Sequence, residues 1–395
     1  MVFALCTAFA LSQAFRTVGA IMASPLQAEF KLSAQALGVF SASFHFAFGA
    51  MQLFMGIGID LHGVRRTVLV AFPLAIAGAV LSALSTRYVW LVAGQVLIGV
   101  GCAPAFLVCT VFIARHFPAA RFASVSGLVL GMGGLGMLLT GTPLAWLVQA
   151  YSWRTGFAAL AVASVLAWAV IFATVREPAR NEARPRETVG AALRQFGSLF
   201  TMPHTPGILV LGAVTYAAFI SLRGLWLGPL LIERHGYSLV QSGNVALIVS
   251  IVSLFGSPLF GRLDRDGPIR RQRIVACSLV YAALFAAIAV FSQAWIDIGS
   301  TILIGLLSGF IVWQYADVRV AYPAAITGRA MAVFTMAMFL GVAVMQWVTG
   351  IASSLATAHG IEPFAAVLGT IAALLLAATV GFAWLPKPGP ARTHG

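Results

Sequence analysis

Residues 56–66 read GIGIDLHGVRR and residues 261–271 read GRLDRDGPIRR. Each keeps an aspartate, a glycine three positions on and then a pair of arginines, and each follows a long apolar run. Outward from these loops the chain keeps repeating itself. Pro25 and Pro229, Glu29 and Glu233, and Asp60 and Asp264 are each separated by 204 residues. A duplicated half explains the interval. The longest polar stretch, REPARNEARPRETVG at 176–190, falls where two halves must join, and its Arg, Glu and Pro content predicts a solvated linker. The expected division is residues 1–175 as the N-terminal half, 176–205 as the linker, 206–386 as the C-terminal half and 387–395 as a tail.

The apolar runs set the class. Hydrophobic residues make up 60% of the chain and charged ones 9%, and runs of about 20 apolar residues are long enough to cross hydrocarbon as helices. Twelve are expected, near 2–26, 35–57, 67–86, 88–113, 124–148, 156–175, 206–232, 239–260, 274–293, 297–318, 330–353 and 363–385. The sequence therefore reads as an all-α membrane protein with two pseudo-symmetric halves of six transmembrane helices. The first span has no charged leader, so no cleaved signal peptide is expected.

Net charge is +13, a balance that on its own would suit nucleic acid. Its placement argues for a bilayer instead. Of the 24 Lys and Arg residues, eighteen fall in loops and tails on one side, four (Lys31, Arg87, Arg154 and Arg234) on the other, and Arg16 and Arg223 within spans. Both termini are thereby expected in the cytoplasm, and the protein in the inner cell membrane. Cys6, Cys102, Cys109 and Cys277 all lie within spans, so no disulfide framework is implied. Trp90, Tyr151, Trp153 and Trp295 read as interfacial anchors.

The two D-x-x-G-…-R-R loops resemble the signature loop of the major facilitator superfamily, whose common form is G-x-x-x-D-R-x-G-R-R. The repeat, the span count and the linker position extend that resemblance over nearly the whole chain. It implies two halves rocking about a central site, with the loops as cytoplasmic latches built from Asp60, Arg65 and Arg66 in one and Asp264, Arg265, Arg270 and Arg271 in the other. The alternative is that these arginines only set topology. Leu61 stands where the family usually has arginine, and Gln95 where many proton-coupled members carry one. The fifth span, GLVLGMGGLGMLLTGTPL, lacks the G-P-x-x-G-G order associated with drug/proton antiporters. Its glycines are expected to allow close helix packing.

Arg16 and Arg223 are the decisive residues. An arginine at bilayer depth costs at least about 3 kcal/mol, so it normally faces a cavity or a partner. No acidic residue lies centrally, and Asp317, near the inner end of its span, is expected to pair with Arg319 or Arg329. A small anionic solute is then the simplest counter-charge, because guanidinium forks onto carboxylate or phosphate. In organophosphate and related organic-anion members of the superfamily an arginine in the first and the seventh helix grips the anion, and this pair resembles that arrangement. The alternative is that each arginine bonds carbonyls freed near Gly19, Gly224 or Gly228. Gln13, His45, Trp226, Asn244, Gln314, Tyr315 and Gln346 are candidates to complete the pocket. His45 could carry a proton, or form an interhelical hydrogen bond.

The expected function is secondary transport of a small organic anion by alternating access. A coupled proton, sodium or counter-anion would balance charge; the lipid bilayer is the other partner, and nucleic acid is not one. A drug or metabolite exporter is the alternative, although both arginines should repel lipophilic cations. A copper importer is suggested by Met51, Met55, Met336, Met338 and Met345, and a non-transporting solute sensor is a fourth reading. No cofactor or resident metal is implied. No enzyme is expected, since no nucleophile, base and orienter can be assembled.

Overall fold

Lipid offers no hydrogen bonds, so apolar runs of this length must satisfy their own backbone as helices. The computed structural model describes residues 1–176, 197–264 and 268–386. Most of the expected linker, Arg265 and the tail from residue 387 lie outside the described residues, as does the side chain of Asp60.

The first helices are α1 (Val2–Thr17), α2 (Gly19–Phe30), α3 (Ala34–Ala83), α4 (Tyr88–Cys102), α5 (Ala105–His116), α6 (Ala119–Leu139), α7 (Thr142–Ala150) and α8 (Trp153–Thr174). After a short 3-10 turn at Ser198–Thr201 come α9 (Thr205–Arg234), α10 (Leu239–Arg262), α11 (Pro268–Val290), α12 (Ala294–Leu307), α13 (Ile311–Ala321), α14 (Ala324–Ala358) and α15 (Pro363–Trp384). Local chemistry places their ends. Ser33 and Ser152 accept from the N–H groups of Ala36 and Thr155 at 3.2 Å each, capping α3 and α8. Pro268 and Pro363 open helices at positions where no N–H is needed.

Ten of the described helices are long and apolar enough to cross a membrane, or eleven if α1 and α2, bent by 45°, make one span. The fold is all-helical and multi-pass. The second and third expected spans run together as α3, broken only at Gly63, where φ is 84° and ψ 169°. That backbone is open to glycine at little cost, which gives the D-x-x-G motif a physical reason for its last residue.

The chain divides into two compact units: Met1–Arg186 with Leu222–Ser250, and Glu187–Ser221 with Ile251–Gly395. In the first unit α1 packs on α5, α6 and α8, and α3 packs on α4 and α8. Its α1–α6 contact is a backbone one, since a Cβ on Gly136 would sit 1.7 Å from the Ala10 carbonyl oxygen. The glycine-rich fifth span thus packs as the sequence suggested. In the second unit the early part of α9 packs on α14 and α15, and α11 on α15.

Candidate functional site

Three helix breaks shape the polar centre of the first unit. α1 and α2 meet at a 45° bend just after Arg16. α9 widens into a π-helical turn over Leu222–Trp226, all five residues of which are buried. Pro229 has no N–H to offer the Leu225 carbonyl, which favours such a widened turn. α6 stops at Leu139, and Gly141 gives its N–H to Leu138 at 3.1 Å rather than to Met137.

The Met137 carbonyl, left over at that break, collects other donors. The Thr140 hydroxyl reaches it at 3.1 Å and Arg223 Nη2 donates to it at 3.0 Å. Arg223 Nε donates to Ser250 Oγ at 2.9 Å, and Ser250 passes its own proton to the Ala246 carbonyl at 2.7 Å. Thr140 and Thr17 hydroxyls are 2.7 Å apart, tying α1 to the same break. Arg223 is fully buried, yet its Nη1 has no hydrogen-bond partner among the described residues. One carbonyl and one hydroxyl hold two of the three guanidinium nitrogens, and neither comes from the Gly19, Gly224 or Gly228 neighbourhood.

Arg16 is 6% exposed, with its guanidinium carbon 5.0 Å from the centroid of the Phe48 ring. A Cβ on Gly19 would lie 2.6 Å from the Gly224 oxygen, and one on Gly228 would lie 1.8 Å from the Ala20 oxygen. The start of α2 thus crosses α9 backbone to backbone, with Arg16 three residues and Arg223 one residue before that crossing. The glycines named in the alternative reading serve this close approach.

The other candidates disperse. Gln13 Oε1 and the neighbouring Ser12 hydroxyl are buried on α1 with no partner among the described residues. His45, 1% exposed, places Nδ1 3.1 Å from the Ser41 carbonyl on its own helix, edge-on to Phe44. Trp226 is buried in the π turn. Asn244 accepts from the Thr142 hydroxyl at 2.6 Å, joining α10 to α7. Gln314, Tyr315 and Gln346 belong to the second unit. There Gln314 Nε2 donates to Thr215 Oγ1 at 3.0 Å, and the Tyr315 hydroxyl lies 3.2 Å from that of Thr335. Gln346 is fully buried, and neither amide atom has a partner among the described residues.

The two loops use their arginines differently. Arg65 donates from Nε to the Val175 carbonyl at 2.6 Å and from Nη2 to that of Phe172 at 3.1 Å, covering the carbonyl end of α8. Arg66 is exposed. Arg270 forks back onto Asp264, with Nε to Oδ1 at 2.8 Å and Nη2 to Oδ2 at 3.0 Å. Arg271 Nε lies 3.8 Å from Asp317 Oδ2, and its guanidinium carbon lies 4.3 Å from the Phe382 ring centroid. Asp317 thus faces Arg271, not the expected Arg319 or Arg329. The partner is remote in sequence and only packing brings it near. Trp153 also departs from expectation: it is buried and donates to Glu29 Oε2 at 2.7 Å, while Arg154 forks onto the same carboxylate. Trp90, Tyr151 and Trp295 are exposed.

Thr17, Thr140 and Ser250 escape a sequence reading because lone hydroxyls are ordinary in membrane helices. The one available signal is the TGTP run at 140–143, whose glycine and proline together mark a helix break.

Broken apolar helices around a buried cation define a class: a multi-pass transport protein with irregular backbone only where polar side chains surround it. The chain matches the profile described as Major Facilitator Superfamily over residues 4–345. It belongs to that superfamily, and its relatives are transporters rather than enzymes. It is 24% identical over 291 residues to the hexuronate transporter of Bacillus subtilis (strain 168), a match covering 68% of this chain and 66% of that one. It is 23% identical over 345 residues to a probable sulfoacetate transporter of Cupriavidus necator, covering 82% and 79%. A probable galactarate/D-glucarate transporter of Bacillus subtilis (strain 168) is 21% identical over 322 residues, covering 71% and 70%. In fold it resembles the crystal structure of a D-xylose-proton symporter, with TM-score 0.77, 18% identity and 98% of each chain covered.

Proposed function

We propose that this protein moves a small organic anion of the carboxylate type across the inner cell membrane by alternating access. Twelve spans, cytoplasmic termini and two six-helix halves joined by the 176–205 linker complete that reading. The observation that carries it is Arg223: fully buried, held by Met137 and Ser250, and left with Nη1 as a spare donor. A preorganised guanidinium with an open N–H suits an anionic ligand. Arg16, just before the α2–α9 crossing, adds a second positive charge that attracts the same ligand. Gln13, His45, Trp226 and Asn244 are its further contacts in this reading. The named relatives carry hexuronate, galactarate/D-glucarate and sulfoacetate, all of which bear a carboxylate. Charge is balanced by a coupled proton or sodium, or by exchange for another anion. The Asp60–Arg66 and Asp264–Arg271 loops act as latches that reset as access changes.

A thermal-shift series on the purified protein tests the reading. D-glucuronate, D-glucarate and sulfoacetate should raise the unfolding temperature in a saturable way, and glucose or a lipophilic cation should not. Stabilisation by the cation and by none of the three anions would replace this function with an exporter of cationic compounds.

A further inference from the structure

We propose that Thr140 and Ser250 are positioning residues for Arg223, and that they make its guanidinium a releasable tie between α6 and the segment 222–250. The α6–α7 break leaves the Met137 carbonyl without its helical N–H, and Arg223 Nη2 donates to it at 3.0 Å. Thr140 shares that carbonyl at 3.1 Å and is itself 2.7 Å from Thr17. Ser250, on α10, fixes Nε at 2.9 Å. One side chain therefore joins α6, α9 and α10, and its charge sits where water does not compete.

The same segment touches α7 further along. The Thr142 hydroxyl donates to Asn244 at 2.6 Å, the Gln149 side chain accepts from the Val240 N–H at 3.2 Å, and a Cβ on Gly243 would meet Ala145 at 2.6 Å. These are small or polar contacts, weaker individually than a charge-assisted bond. Arg223 is thus the strong point of an otherwise light seam with α6 and α7.

A release rule follows from the guanidinium's shape. Nη1 is open, Nη2 is engaged with Met137 and Nε with Ser250. A carboxylate that forks end-on needs Nη1 and Nη2 together. Nη2 carries two N–H groups, so such a ligand takes the second one and its charge pulls the guanidinium away from the neutral Met137 carbonyl, loosening the 222–250 segment from α6. A ligand that meets Nη1 alone leaves the tie in place. This release step rests on the anion reading given above, whereas the tie itself does not.

The test separates the two. Full-length protein carrying T142C and N244C is reconstituted without ligand and oxidised with diamide, and the linked 142–244 peptide is quantified by mass spectrometry. S250A should slow cross-linking roughly tenfold, the scale of losing a buried charge-assisted hydrogen bond; T140V, which loses neutral hydrogen bonds to Met137 and Thr17, should slow it about threefold; and S250T should restore the rate. D-glucuronate should slow cross-linking in the parent and add nothing in S250A. Cross-linking at the parent rate in both S250A and T140V overturns the tie, as does an S250T variant as slow as S250A. Slow S250A and T140V with a parent indifferent to D-glucuronate, D-glucarate and sulfoacetate upholds the tie and overturns the release step alone.

Discussion

Arg65 and Arg270 are each the first arginine of the pair in a duplicated loop, five residues after Asp60 and six after Asp264. Arg270 turns back on Asp264 in a two-bond fork, while Arg65 leaves its loop to cover the carbonyls of Phe172 and Val175 at the end of α8. The inner pair of arginines shows the same divergence. Arg223 is seated by a π turn against the freed carbonyl of Met137, and Arg16 lies beside a simple bend, over the face of Phe48. Duplication has kept the charges, and the local backbone has chosen their partners. A helix that bends and a helix that widens aim arginines 207 residues apart, three off the repeat interval, at different neighbours.

The largest effects should come from the buried pair. R223Q and R16Q should each remove the anion-dependent thermal shift and lower uptake into proteoliposomes roughly hundredfold, the scale of truncating a buried charge contact. The two should differ without ligand. R223Q strips the donor from Met137 and Ser250 and should cost about 2 kcal/mol of stability, whereas R16Q gives up, among its contacts, the cation–π one with Phe48, worth about 1 kcal/mol. R223K keeps charge but not the planar fork, so it should recover only part of the response. Equal ligand-free losses in R223Q and R16Q would break the contrast drawn between the two helices.

Next in size is the backbone crossing. G228L would drive a side chain into the Ala20 carbonyl, where even a Cβ would lie 1.8 Å away. It should cost about 3 kcal/mol in thermal unfolding. G19A, with 2.6 Å to the Gly224 oxygen, should cost less, about 1 kcal/mol. A smaller contrast lies in the loops. D264N removes the negative charge and one of the two oxygens that accept from a largely buried Arg270 and should cost about 2 kcal/mol, while R65A uncovers carbonyls at a helix end that water can reach, at about 1 kcal/mol. The reverse order would mean that the first loop, not the second, carries the stronger anchor.

How much of this was written in the sequence depends on the range of the interaction. Helices, the repeat and the special status of Arg16 and Arg223 follow from local composition and from the cost of charge in lipid, and both need only a window of residues. Gly63 was legible as part of a motif, although its positive φ within a 50-residue helix was not. The seat of Arg223 was hidden because it joins residues 137, 140 and 250, whose types are unremarkable and whose meeting depends on where helices break. Asp317 failed for the same reason: Arg271 is 46 residues away in sequence, and a local pairing rule could not find it.

The smallest expected effect is a matter of protons, and it should be confined to one repeat. His204, just ahead of α9, has its ring 5.0 Å from that of Tyr322. Burial, and then the charge of Arg271, hold its pKa below the usual histidine value, with a bond to the Ala321 backbone opposing them. The unfolded chain, with histidine near 6.5, then binds protons before the folded one does. Stability from this group is complete above about pH 6.5 and declines as pH falls toward the lower folded value. The unfolding temperature should therefore drop slightly on acidification below about pH 6.5, and H204Q should flatten that drop. R271Q removes the repelling charge and should shift the decline to lower stability at every pH while narrowing its dependence on protons. R66Q, which alters an exposed arginine in the other loop, should leave the pH profile unchanged. An equal flattening by R66Q would assign the effect to net charge rather than to the charge of Arg271 acting on His204.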